Sequence, residues 1–218
     1  NQVKAAEPKT NEKTGEVLQA AKNVAVAAKT AVKESASEVK AAVAEKTTAV
    51  KEAVEDKDKI VIFNTAPAVR VALGEEFKMD AGSYVEDKMV HALRQLGGDY
   101  VFDVTFGADM TIMEEANELV KRIVEKNENI PQFTSCCPGW VTFVETFYPE
   151  LLNNLSTAKS PISMQGVTIK TYFAKKANID PSKIVNVTIT PCTAKKFEID
   201  RPEMNDSAKF NDIEGLRD

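Results

Sequence analysis

The sequence predicts an α/β protein: a parallel sheet flanked by helices, carrying a helical or disordered N-terminal extension. Three observations predict it. Short runs rich in β-branched and aromatic residues recur from residue 59 onward. Stretches of helical periodicity separate them, the order that buries a parallel sheet between helix layers. Residues 1–58 differ in composition, being rich in Ala, Lys, Glu and Val with no aromatic residue and no cysteine.

The N-terminal 58 residues repeat small apolar residues and good helix formers, as at 24–33 and 41–46. They predict a long, weakly amphipathic helix or a disordered tail. A membrane-surface or partner-binding helix is the sharper alternative, but the apolar face is mostly Ala and Val, too small for strong insertion. Frequent acidic residues and the absence of Arg argue against a transit peptide. Asn1 is not a start methionine, so the chain reads as processed or as a fragment.

From residue 59 the elements follow in order. Residues 59–63 (KIVIF) form a buried strand by composition. Ser83 with Glu86 resembles a capping box opening a helix that ends near Gly97-Gly98. Residues 100–104 predict a second strand, 111–126 a helix and 130–134 a short strand. Residues 141–147 continue as a helix after Pro138-Gly139, and 160–175 form another. Residues 184–190 (IVNVTIT) predict a last strand. Ligands of such sheets sit at the carboxyl ends of strands, and Thr65, Cys136 and Cys192 each follow a predicted strand.

Bulk properties exclude several classes. The 218 residues allow one sizeable domain plus an appendage, and a net charge of −5 gives nucleic-acid binding no electrostatic support. No apolar run approaches the length of a membrane span. Three cysteines, two of them adjacent, make a secreted disulfide framework a poor fit and a reducing compartment a better one. The single His91 cannot build a histidine-rich metal site.

All three cysteines lie in two segments, Thr134-Ser135-Cys136-Cys137-Pro138-Gly139-Trp140 and Thr190-Pro191-Cys192-Thr193-Ala194-Lys195-Lys196-Phe197-Glu198. Thiolates gathered at strand ends suit a soft metal or an iron–sulfur cluster. The plain alternative is three buried, inert cysteines; a zinc site is weak with only three thiolates. Glu115, Glu118 and Arg122 are spaced to share one helical face, which ordinarily means a solvated face with an ion pair. Trp140 is most simply core packing.

These segments resemble the first two signature segments of the iron-only (FeFe) hydrogenases. Thr65-Ala66-Pro67, Arg70 to Phe77, Ala108 to Glu115, Asn154-Leu155-Ser156 and Ala158-Lys159-Ser160-Pro161 match in order, so the resemblance runs from about Lys59 to Asp218. It implies an incomplete iron-hydrogenase large-subunit fold over residues 59–218, with residues 1–58 outside it. The implied activity is reversible reduction of protons to dihydrogen, an oxidoreductase reaction of anaerobic metabolism. The implied cofactor is the H-cluster, a 4Fe–4S cubane joined to a two-iron subsite with CO and CN ligands.

The resemblance also assigns roles. Cys137 and Cys192 become cubane ligands, and Cys136 the thiol that passes protons to the two-iron subsite. Glu115, Glu118 and Ser156 become a proton relay with Arg122 at its outer end. Lys195 contacts a cyanide ligand, and the backbone of Ala66 and Pro67 lines the pocket, while Glu198 reads as a structural hydrogen-bonding carboxylate. The other two cubane ligands belong to a third segment that this sequence does not contain. Ferredoxin or a similar electron carrier and hydrogenase maturation proteins are the implied partners. The implied compartment is the cytoplasm, with an anaerobic organelle as the alternative.

Three positions depart from the family pattern: Thr190 replaces a methionine, Ala68 a serine and Ile162 a glutamine. They leave open a sensory member with slow turnover, a split gene product, or a non-catalytic iron–sulfur assembly relative. The assembly relatives generally lack the proton-relay cysteine, which Cys136 supplies here.

Overall fold

The structure is a computed structural model that describes residues 44–126 and 129–218. The chain divides into two compact units, 1–49 and 50–218. Residues 44–55 form helix α1. The expectations for residues 1–43 lie outside the described residues.

Three parallel strands make the sheet: β1 (Ile60–Thr65), β2 (Tyr100–Asp103) and β3 (Ile184–Ile189), in the order β2-β1-β3. β1 is central, and its side chains alternate between two cores as strand geometry requires. Val61 and Phe63 face one side, where Val50, Ala53 and Val54 of α1, Val69 and Leu73 of α2 (Val69–Glu76), and Met89 and Leu93 of α3 (Glu86–Gln95) cover them. Ile62, fully buried, faces the other side with Ile169, Ala174 and Ile184. Helices therefore cover both faces, as the alternating sequence pattern predicts. The register pairs Thr65 with Asp103 on one side and with Ile189 on the other, so all three strands end level.

The remaining elements are α4 (Thr105–Val124), α5 (Pro138–Phe147), a 3₁₀ turn (Pro149–Asn154), α6 (Pro161–Thr168), a π turn (Ile169–Phe173), α7 (Ala174–Ala177), a 3₁₀ turn (Pro181–Lys183), α8 (Lys195–Ile199) and α9 (Asp206–Asn211). α4 packs on α6 at Gly107, where an added Cβ would collide with the carbonyl oxygen of Pro161. No helix among the described residues is long and apolar enough to cross a membrane.

Two local expectations fail. Residues 130–134 are not a strand: only Phe133 pairs, in a single parallel bridge with Leu155. Pro131 has no N–H to donate to a ladder. The capping box at Ser83 is not formed either. Ser83 Oγ donates to the Asp80 carbonyl at 2.6 Å, and Glu86 is engaged by Tyr84 and by Arg70 at 3.5 Å, so α3 begins after Val85 without a side-chain cap.

The amphipathicity of α4 is inverted. Gly107, Thr111 and Arg122 are buried on its inner face. Phe106, Met113, Val120 and Val124, at spacings of seven, seven and four, are exposed on the outer one, flanked by Ile112, Leu119 and Ile123.

Lys170, on the π turn, is buried and donates to the Arg217 carbonyl at 2.6 Å. Burial, with Lys59 adding repulsion, outweighs the attraction of Asp218 and lowers its pKa from 10.5 to about 8. Between these values the unfolded chain binds the extra proton, so this lysine makes stability rise with pH from about 8 to 10.5. Lys170→Met flattens that rise relative to the parent, measured as melting temperature against pH.

Candidate metal and proton-relay site

The site forms around the level strand ends. Ala66 and Pro67 leave β1 there; the Ala66 N–H donates to the Ile189 carbonyl at 2.9 Å, locking the first turn after β1 to the end of β3. After Ile189 the chain turns through Thr190, whose hydroxyl accepts from the Cys192 N–H at 3.4 Å. The position that departs from the family methionine thus fixes the backbone of a candidate ligand.

The Cys136-Cys137 segment arrives from the far side of the sequence and is tied in by Lys195. Its Nζ donates to the Cys136 carbonyl and to Glu198 Oε2, both at 2.5 Å. Glu198 is buried and also accepts from Ser160 and, at 2.9 Å, from Ser163. Glu198 is therefore the hydrogen-bonding carboxylate the sequence suggests, and it anchors Lys195. Two of the three ammonium N–H groups are used in this way.

Cys137 is the N-cap of α5, with extended backbone before Pro138 at the first helical position. Its sulfur lies 3.9 Å from where a Cβ on Gly139 would sit, close to the helix N-terminus, whose N–H groups favour negative charge. Cys136, Cys137 and Cys192 are all free and exposed, so the reading of them as buried, inert residues fails. Trp140 packs edge-on to Phe133 at 5.8 Å and stacks on Phe143. Among the described residues no three His, Cys, Asp or Glu side chains are grouped to hold a metal ion. The donor chemistry fits an iron–sulfur cluster in part: exposed soft thiols are present, but a cubane takes four.

The second half of the site is on α4. Glu118 Oε2 accepts from Ser156 Oγ at 2.7 Å and from the Thr157 N–H at 2.9 Å; Oε1 pairs with Arg122 at 2.6 Å. Burial raises the pKa of this carboxyl, but the Ser156 hydroxyl, the Arg122 guanidinium and the Thr157 amide together hold it below its ordinary value of 4.5. Arg122 is only 8% exposed. It also donates to the carbonyls of Asn129 (3.0 Å), Asn153 (3.1 Å), Asn154 (3.4 Å) and Leu155 (2.8 Å). The solvated ion pair of the plain reading is thus a buried clamp on the segment that carries Ser156. Glu115 lies one turn earlier on the same face, with Oε1 buried and unpartnered. A cavity of about 500 Å³ opens beside Glu118, lined also by Met110, Asn117, Lys121 and Met164.

Residues 58–214 match the family model described as the iron-only hydrogenase large subunit, C-terminal domain. The chain belongs to the iron-only hydrogenase family. It is 55% identical over 161 residues to iron hydrogenase 1 of Clostridium pasteurianum, covering 74% of this chain and 27% of that protein. A solved FeFe-hydrogenase matches with a TM-score of 0.69 and 39% identity, covering 72% of this chain and 41% of that one. A cytosolic iron-sulfur assembly component 3 of Bos taurus is 32% identical over 152 residues, 68% of this chain and 32% of that protein. This hydrogenase-family chain therefore spans about a quarter to a third of the curated relatives' length.

The sequence pattern found Glu115, Glu118, Ser156 and all three thiols. It did not reveal the Thr157 amide or Gln132, whose Nε2 donates to the Glu115 carbonyl at 3.1 Å. Backbone donors leave no signal in side-chain identity, and a lone glutamine before an aromatic residue has no distinguishing context.

Two outcomes follow from the clamp. Ser156→Ala removes a donor to the ionised form, so the Glu118 midpoint moves up toward 4.5 in a carboxylate NMR titration. Because the folded pKa is depressed, Glu118 stabilises fully above its unfolded value, and this is lost as acid protonates it; the Ser156→Ala stability deficit therefore shrinks at low pH. Arg122→Lys cannot reproduce the planar fork and leaves buried carbonyls unpaired, costing about 1–3 kcal/mol in thermal or urea unfolding.

Proposed function

We propose that this chain supplies the sheet, the relay helix and two cluster ligands of an FeFe-hydrogenase catalytic unit. Residues 59–218 form its domain part and residues 1–58 an extension. The reaction is the reversible combination of two protons and two electrons to dihydrogen. The observation that supports it best is the Glu118–Ser156–Arg122 assembly, a hydrogen-bonded polar line buried on one face of α4, in the same unit as the exposed Cys136-Cys137 pair.

When bound, the H-cluster supplies the redox chemistry, its 4Fe–4S cubane carrying electrons and its two-iron subsite, with CO and CN ligands, turning over hydrogen. Cys137 and Cys192 hold the cubane through their sulfurs. With Cys136 kept free, the remaining two thiolates come from residues other than the three cysteines here. Lys195, fixed by Glu198, keeps one N–H donor for an anionic ligand, which a localised ammonium charge stabilises. Ala66 and Pro67 present backbone to the pocket. Cys136 exchanges its thiol proton at the reacting end. Glu115 receives it, and Ser156 and Glu118 pass it on; a serine hydroxyl both donates and accepts, so a 2.7 Å contact to a carboxylate is a ready transfer step. Arg122 keeps Glu118 ionised and ready to accept.

Ferredoxin or a similar carrier delivers electrons, and hydrogenase maturation proteins install the two-iron subsite. Exposed free thiols require a reducing setting, the cytoplasm or an anaerobic organelle. The second reading, a non-catalytic iron–sulfur assembly or sensory protein, draws on the 32% identical assembly relative.

The test is anaerobic maturation of the full-length protein containing this chain, followed by hydrogen evolution with reduced ferredoxin. The parent turns over. Cys136→Ala retains the cluster by iron count and infrared CO and CN bands but loses at least about 10²-fold in rate. Cys137→Ser loses cluster iron. A parent that binds iron and evolves no hydrogen establishes the assembly or sensory role instead.

A further inference from the structure

Two buried side-chain oxygens beside the relay helix have no hydrogen-bond partner, Glu115 Oε1 and Gln132 Oε1. The Gln132 amide orientation is set at its other end, where Nε2 donates to the Glu115 backbone carbonyl at 3.1 Å. Turning the amide over would place oxygen against oxygen.

Gln132 belongs to the short pairing that also carries Ser156. Asn154 Nδ2 donates to the Pro131 carbonyl at 2.9 Å, the Phe133 N–H to the Asn154 carbonyl at 2.8 Å, and the Ser156 N–H to the Phe133 carbonyl at 2.7 Å. This pairing lays Ser156 against the Glu118 turn of α4 and Gln132 against the Glu115 turn. Ser156 meets its carboxylate as a donor. Gln132, with its nitrogen committed, can offer Glu115 only an acceptor. Buried acceptors without a donor are rare. An ionised carboxyl cannot supply the missing proton, whereas a protonated one carries an O–H.

We propose that Gln132 Oε1 accepts a hydrogen bond from the protonated Glu115 carboxyl, which makes Gln132 a positioning residue of the relay and Glu115 the place where a proton waits. The relay reading above underlies the functional part of this inference. The charged surroundings are sparse. On α4 the neighbours are Glu114, Glu118 and Arg122, the last two paired with each other. The facing stretches 129–135 and 153–158, and α6, contain no charged residue; Cys136 and Lys159 follow the two stretches. Glu118, surrounded by donors, is held as carboxylate, so adjacent turns of one helix favour opposite protonation states.

The experiment is an infrared pH titration of the unmetallated chain, with the Glu115 carboxyl band assigned by its loss in Glu115→Gln. The parent shows a hydrogen-bonded acid C=O band. In Gln132→Met, similar in volume but without donor or acceptor, the band moves to the unbonded position, and its midpoint falls by about one pH unit, tenfold in proton affinity. If Gln132→Met does not fold, Gln132→Glu decides, because it retains an acceptor and must keep the bonded band. An unchanged band and midpoint in folded Gln132→Met, or an unbonded band in the parent or in Gln132→Glu, overturns the proposal. A bonded band with no hydrogen evolution from the matured parent overturns the relay and leaves the hydrogen bond standing.

Discussion

One guanidinium gathers five acceptors from three parts of the chain: the Glu118 carboxylate on its own helix, the Asn129 carbonyl just beyond it, and three carbonyls of residues 153–155. The rest of the relay depends on this arrangement. A buried cation without acceptors is costly, so the backbone of 153–155 cannot drift from α4 without exposing Arg122 to that cost. Ser156 follows directly and is delivered to Glu118 by the same constraint. The donors around the carboxylate then outweigh the burial that would otherwise favour its neutral form.

The metal end is organised by a second constraint, the level ending of three parallel strands. Because Thr65, Asp103 and Ile189 lie in register, the turns after β1 and β3 open on one edge. Lys195 then brings Cys136 to that edge through its carbonyl rather than its sulfur, leaving the thiol uncommitted by this contact. Glu198, buried among two serines, sets where the ammonium sits. A cation fixed from behind, with a free thiol held in front of it, is a surface prepared for an anionic partner.

Much of this was legible in the residues. The β-branched runs at 60–65 and 184–189 announce strands because a strand buried on both faces selects them. The cysteine segments stand out because thiols are rare and clustered. Other features depend on distant partners. Residues 130–134 have strand composition, yet Pro131 cannot donate and only Phe133 pairs. The Ser83–Glu86 spacing suits a capping box, but Arg70 and Tyr84 compete for the glutamate. α4 begins at Thr105, earlier than the periodicity from residue 111 suggests, because Gly107 serves close helix contact instead of breaking the helix. The role of Arg122 was hidden most deeply: an i,i+4 ion pair looks the same on a solvated face as in a buried clamp, and carbonyls around residue 154 carry no sequence mark.

The outward stripe of α4 has a consequence for handling the chain. A row of Phe106, Met113, Val120 and Val124 in contact with water is a colloidal weakness, independent of any chemistry on the opposite face. Solubility will be set by protein concentration and by excluded salts such as sulfate, which strengthen the tendency of such surfaces to hide from solvent. Low concentration, modest ionic strength and mild detergent are the conditions under which this chain is best kept in solution.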